Sequence, residues 1–261
     1  MVPGHLEAGP GLGTRDDLQR ETAIVVLLHG FNVNYKDGSK SLLKLTTLLP
    51  SAKNSAVIAV LWPGDHWSGP LSYSFEGRDA DDTASELVRY LGDVTRPDAS
   101  VAFVAHSLGC RVAMETAARL IAAGRDPQQI CLLAAAIDDY SLASTEAYLA
   151  ATNGSARVAV LSSKKDNVLR FAYPAGDLFQ AFIFADDFAG LALGYHGPRP
   201  HKASGSPVPK NVLDKRIPKS RRPPVGHSDY LPGTKSVSDE QRAAAKFADA
   251  VLAGDDHPVY G

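Results

Sequence analysis

Val101-Ala102-Phe103-Val104-Ala105-His106-Ser107-Leu108-Gly109-Cys110 is the stretch whose reading decides the fold. It opens as an apolar run of strand length, stops at a serine flanked by small residues, and continues into Arg111-Val112-Ala113-Met114-Glu115-Thr116-Ala117, which reads as helix. Strand, sharp turn and helix place a hydroxyl at the apex. A serine on so tight a turn sits in a strained backbone region, and large side chains two residues before or after it would collide. Ala105 and Gly109 meet that requirement. The Leu108 N–H and the first helical turn then face any negative charge that develops beside the hydroxyl.

Working outward, similar units recur. Thr22 to Leu28 is a continuous apolar run ending in His29-Gly30-Phe31-Asn32, and Ser55 to Leu61 is another ending in Trp62-Pro63-Gly64-Asp65-His66. Beyond the serine, Ile130 to Ile137 runs into Asp138-Asp139, and Arg157 to Leu161 runs into Ser162-Ser163-Lys164-Lys165-Asp166. Helical stripes lie between and after them: Gly38 to Leu49 ending at Pro50, Ala80 to Leu91, and a closing helix announced by the capping-box spacing Ser238-Asp239-Glu240-Gln241. Alternation of this kind predicts an α/β fold, a mostly parallel central sheet with helices on both faces and functional groups at the carboxyl ends of the strands. Asp79, Asp81 and Asp82 are read as first-turn acids favoured by a helix dipole rather than as metal ligands.

The chain of 261 residues is expected to form a single domain over 22–254, with a flexible lead-in at 1–21 and a tail at 255–261. A 44% hydrophobic and 21% charged composition permits a large core, and a net charge of −2 gives no reason to expect a nucleic-acid partner. With only Cys110 and Cys131, reduced thiols are expected rather than a disulfide framework. No run has the length of a membrane span and the first residues lack a leader's pattern, so the expectation is a cytoplasmic protein. The oligomeric state is left open.

The serine turn, His29-Gly30-Phe31-Asn32 and Gly226-His227-Ser228 together resemble the α/β-hydrolase superfamily. Within it, Trp62-Pro63-Gly64, Ala105-His106-Ser107-Leu108-Gly109 and Gly226-His227-Ser228-Asp229-Tyr230 resemble the small bacterial members grouped as a domain of unknown function. The resemblance runs from about Thr22 to about Gly254. It implies the hydrolase fold with little or no cap domain, a second oxyanion donor from the N–H of Phe31 beside that of Leu108, and the chain order serine, acid, histidine.

Serine needs a histidine to take its proton and an acid to orient that histidine. Of eight histidines, only His196, His201, His227 and His257 follow both Ser107 and a candidate acid; His227 lies on a loop before the last helix, where the resemblance places the base. Asp166, at the end of the strand after next, is the expected acid, with Asp138 the alternative. His29 is read as a brace for its loop. Asn32, Trp62, His106, Phe179 and Phe182 are the candidate substrate-binding residues; Trp62 reads equally well as core, and the aromatic stretch from Phe171 to Tyr195 as acyl pocket, lid or buried helix. The Pro-rich stretch from Gly197 to Pro224, with Lys215, Arg216, Lys219, Arg221 and Arg222, reads as a long solvated loop with a short strand around Val212-Leu213. The expectation is a serine hydrolase cleaving small to medium carboxylic esters, needing neither metal nor organic cofactor. Thioester cleavage or acyl transfer by the same residues is the alternative, and a non-catalytic binding protein a third reading.

Overall fold

The computed structural model describes residues 15–30, 33–62, 73–143, 147–171 and 191–261, with the backbone alone for 73–79. Six strands, β1 (Ala23–Leu28), β2 (Ala56–Val60), β3 (Ser100–His106), β4 (Gln129–Leu133), β5 (Arg157–Ser163) and β6 (Val212–Ile217), form one sheet in the order β2-β1-β3-β4-β5-β6. Every neighbouring pair is parallel. Parallel strands need crossovers, so all six carboxyl ends open on the same edge.

Between and around them lie α1 (Arg15–Leu18), α2 (Tyr35–Thr46), α3 (Tyr73–Val94), α4 (Gly109–Ala122), α5 (Leu149–Gly154), α6 (Leu193–His196) and α7 (Asp239–Leu252). Right-handed crossovers put α2, before the leftward step to β2, on one face, and α3 and α4, which serve the rightward steps, on the other. Consistent with this, α3 packs on α4 and α4 on α5, while α7 packs on β4 and on the turn Pro50–Ala52 that follows α2. The central strands are therefore covered on both sides: in β1 Ile24 to Leu28 are all buried, as are Phe103 to Ala105 of β3 and Ile130 to Leu133 of β4. Helix ends follow their caps. Asn34 accepts from the Asp37 N–H and starts α2 three residues before Gly38, and Ser238 and Gln241 form the capping box expected for α7.

Several element boundaries differ from the sequence reading. β4 stops at Leu133, not Ile137, because Ala134 turns into the left-handed region at φ 46° and its successors pair with the chain at α6: Leu193 N–H donates to Ile137 O and Gly194 N–H to Ala135 O. A Cβ on Gly194 would lie 2.2 Å from the Ala134 carbonyl carbon, so only glycine permits that approach. β6 is a six-residue edge strand rather than a short strand in a loop, its polar Asp214, Lys215 and Arg216 disguising a parallel partner of β5. α3 begins at Tyr73, so Asp81 and Asp82 lie past the first turn, where a helix dipole does little; Asp81 instead meets Arg111 of α4 at 3.5 Å. Within the expected lead-in, Arg15–Leu18 is helical and Arg15 donates to the Asp93 carbonyl at 2.7 Å, while 1–14 lie outside the described residues. Among the described residues no helix is long and apolar enough to cross a membrane.

Candidate active site

Ser107 follows β3 directly, at φ 55°, a backbone conformation that L residues adopt only when their surroundings hold them there. Those surroundings are visible. The Ser107 N–H donates to Leu133 O at 3.0 Å, and its carbonyl accepts from the N–H groups of Cys110 and Ala136, each at 3.1 Å. On the other side Gly109 lies against the β1 loop so closely that a Cβ there would stand 2.3 Å from the His29 carbonyl oxygen. Gly30 is pressed on the serine itself, its virtual Cβ 2.7 Å from Ser107 Cβ and 3.3 Å from Oγ. Two glycines thus let the β1 loop and the β3 turn touch. Among the described residues the Leu108 N–H meets no acceptor.

His227 opens a short 3-10 turn, His227–Asp229, between β6 and α7. Its Nε2 lies 2.8 Å from Ser107 Oγ, and its Nδ1 lies 2.8 Å from Asp166 Oδ2. With the Nδ1 proton directed at the carboxylate, Nε2 is free to accept from the serine hydroxyl. Asp166 is fully buried in the turn after β5, and its second oxygen accepts the Leu169 N–H at 3.0 Å, so the carboxylate is held at both ends. The Asp166 side chain is 0% exposed and that of His227 18%. The His227 loop is anchored at several points: Ser163 Oγ donates to Val225 O at 2.8 Å, Gly226 N–H to Asp229 Oδ2 at 2.7 Å, and Gln241 Nε2 to Ser228 O at 3.2 Å.

Asp138 is placed elsewhere, its backbone bridging to Ala192, and it does not reach His227. His29 is 1% exposed, with Nδ1 donating to Gly30 O at 2.7 Å, the bracing geometry read from the sequence. Trp62, read from the sequence as pocket wall or core, braces the same loop. It is 3% exposed, donates Nε1–H to the His29 carbonyl at 2.9 Å and stacks on the His29 ring at 6.0 Å. His106, also a candidate for touching substrate, is buried with Nε2 2.9 Å from the His227 carbonyl oxygen. A histidine inside a strand run gave no sequence signal for that partner. Phe31, Asn32, Phe179 and Phe182 lie outside the described residues.

A second group escaped the sequence reading. Asp139, 4% exposed, meets His196 Nδ1 at 3.2 Å and Arg199 Nε at 3.5 Å, and burial raises its carboxyl above the usual range. These residues span 60 positions of sequence without a motif, so only their folding together reveals the cluster. Among the described residues no group of three or more His, Cys, Asp or Glu side chains is arranged to hold a metal ion.

Residues 12–175 match the family described as alpha/beta hydrolase of unknown function (DUF900). Comparison with curated proteins finds no match. Among solved structures, the chain is similar to an esterase of Pyrobaculum calidifontis, with 14% identity and a TM-score of 0.46 over 90% of this chain and 77% of that one. It is similar to esterase PE8 with 16% identity and a TM-score of 0.48, over 90% and 93% of the two chains. YbtT, a type II thioesterase from the yersiniabactin pathway, shows 15% identity and a TM-score of 0.39, over 76% and 86%. The family match and the six-stranded parallel sheet with helices on both faces give the α/β-hydrolase fold. The chain belongs to the α/β hydrolases of unknown function.

Proposed function

We propose that this protein is a serine hydrolase that cleaves carboxylic esters of small to medium acyl chain length. The observation that carries the reading is the pair of 2.8 Å contacts that link Ser107 Oγ to His227 and His227 to the buried Asp166. Serine alone is a weak nucleophile at neutral pH, and an imidazole held in one tautomer by a carboxylate is the general base it lacks.

In the proposed reaction the Ser107 hydroxyl proton passes to His227 Nε2 while Oγ bonds to the ester carbonyl carbon. Asp166 stabilises the imidazolium so formed. The Leu108 N–H, together with that of Phe31 as expected from the resemblance, meets the negative oxygen of the tetrahedral adduct. Collapse breaks the bond to the alkoxy oxygen, which takes the proton from His227 and leaves as the alcohol. Water then adds to the acyl-enzyme, giving its proton to His227, and the carboxylic acid departs as Oγ regains a proton.

Hydrolysis of chromogenic esters from two to sixteen carbons, wild type beside Ser107→Ala, tests this. Turnover with a peak at one chain length, lost in the variant, is the expected result. Absence of turnover of every ester by folded wild type would overturn the ester reading.

A further inference from the structure

The edge that carries Asp166 also carries a cluster of cations that the ester chemistry does not use. Lys164 follows β5 directly, two residues before Asp166, with its ammonium 4.5 Å from the centroid of the Tyr195 ring. The segment that carries Tyr195 runs on through Gly197, which lies against Arg216 of β6, to Arg199, with Lys219 just beyond β6, and all three cations act electrostatically on Lys164. The carboxylates present are already engaged. Asp139 takes His196 and Arg199, with Lys202 also nearby, and Asp214 accepts Arg216 Nε at 2.8 Å and Nη2 at 2.6 Å.

Among the described residues Lys164 has no carboxylate within ion-pair distance. The cluster is built rather than loosely gathered. Gly197 stands at φ +75°, where a Cβ would meet Asp214 Oδ1 at 2.6 Å and Arg216 Nε at 2.8 Å, so the α6 segment is pressed on the β6 ion pair. It is also open, the Arg199 and Arg216 side chains being 39% and 52% exposed.

Arg199 engages Asp139 and Arg216 engages Asp214, which leaves the four cations with an excess of positive charge that favours an anion between them. We propose that Lys164, Arg199, Arg216 and Lys219 bind an anionic group of the carboxylate or phosphate class carried by the ligand of the neighbouring Ser107 site. As a statement about the substrate this rests on the hydrolase reading; as a binding site it stands by itself. Burial, helped by Arg199, Arg216 and Lys219 and opposed by Asp139, pushes the Lys164 ammonium down to about 8. It is charged below that pH, so affinity for an anion is present below about pH 8 and falls as pH rises through it.

The test is calorimetric titration of wild type with glutarate and, separately, with inorganic phosphate, each repeated with Lys164→Met and Lys164→Arg. Binding of at least one anion by wild type is expected, weakened about 10- to 100-fold in Lys164→Met and largely restored in Lys164→Arg. The better-bound anion distinguishes carboxylate from phosphate. Glutarate titrations at pH 7.5 and 9.5 are expected to show the loss in wild type and not in Lys164→Met.

No binding of either anion, or equal binding by the Met variant, would overturn the inference. In parallel, ω-carboxy p-nitrophenyl esters are compared with uncharged esters of equal length; wild type is expected to favour the charged series, and Lys164→Met to lose that ratio. Lys164-dependent anion binding by a protein that hydrolyses no ester would uphold the site and overturn the hydrolase reading. Ester turnover blind to charge, with no anion bound, would do the reverse.

Discussion

The His106 ring donates its Nε2 hydrogen to the main-chain carbonyl of His227 across 2.9 Å, and the two imidazoles lie 4.8 Å apart. The residue before the serine thus holds the backbone of the residue whose ring reaches the serine. Burial pushes the His106 ring well below the ordinary histidine range, with the neighbouring His227 adding to the effect and the bond to its carbonyl opposing it. His106 is therefore a neutral donor, and its part in the proposed reaction is positioning.

His106→Ala is expected to lower kcat/KM for a hydrolysed ester about 5- to 100-fold, the effect of one lost buried hydrogen bond, with the change chiefly in kcat. His106→Gln keeps a donor and should recover part of the loss. Steady-state kinetics of the two variants checks this; equal rates in both variants and wild type would remove His106 from the argument.

A histidine whose ring is held neutral in the fold binds fewer protons than the same residue in the unfolded chain once the pH falls below its ordinary value of 6.5. The His106 contribution is therefore intact above that pH and declines below it, by up to about 1.4 kcal/mol per pH unit. Thermal melts between pH 7 and 5 should show a steeper fall for wild type than for His106→Gln.

Asp166 and Asp138 are separated by their contacts. Asp166→Asn is expected to cost about 10³- to 10⁴-fold in kcat, because the amide can direct its own N–H at His227 Nδ1 and favour the wrong tautomer. Asp138→Asn should stay within about tenfold of wild type. A larger loss from Asp138 than from Asp166 would reassign the acid.

Gly109 and Gly92 give opposite signs for the same substitution. Gly109→Ala drives a methyl group to 2.3 Å from the His29 carbonyl oxygen and is expected to destabilise by about 1–3 kcal/mol, lowering Tm by roughly 2–10 °C. Gly92→Ala, in α3 with nothing within 4 Å of the new Cβ, should stabilise by about 0.5–1 kcal/mol. Calorimetric scans of both read the difference.

The thiols of Cys110 and Cys131 are buried, and burial raises both well above the ordinary range; Cys110 Sγ also donates to Ala105 O at 3.3 Å. The thiolate, not the thiol, attacks a disulfide reagent, so native protein at pH 8 is expected to react with Ellman's reagent about 100-fold more slowly than protein in guanidinium. Rapid modification of either thiol in the native state would contradict the packing of α4 on β3 and β4.

The serine turn, the buried strands of the sheet and the capping box of α7 were legible in the sequence because each is set by neighbours: apolar runs of strand length, small residues around Ser107, Ser238 with Gln241. Those local patterns determined the parallel α/β architecture and which serine sits at a strand end. Chain order and the resemblance point to His227 and Asp166, with Asp138 the alternative, but only tertiary structure brings the partners into contact. His227 meets Asp166 across 61 positions, Ser107 across 120, and His106 across 121, and no spacing rule links residues so distant. β6 was obscured by its charged face, and the cations around Lys164 come from β5, β6 and the chain after α6. Local sequence specifies backbone conformation through short-range sterics and periodicity, whereas which side chains share one edge of a sheet follows from the crossovers that order its strands.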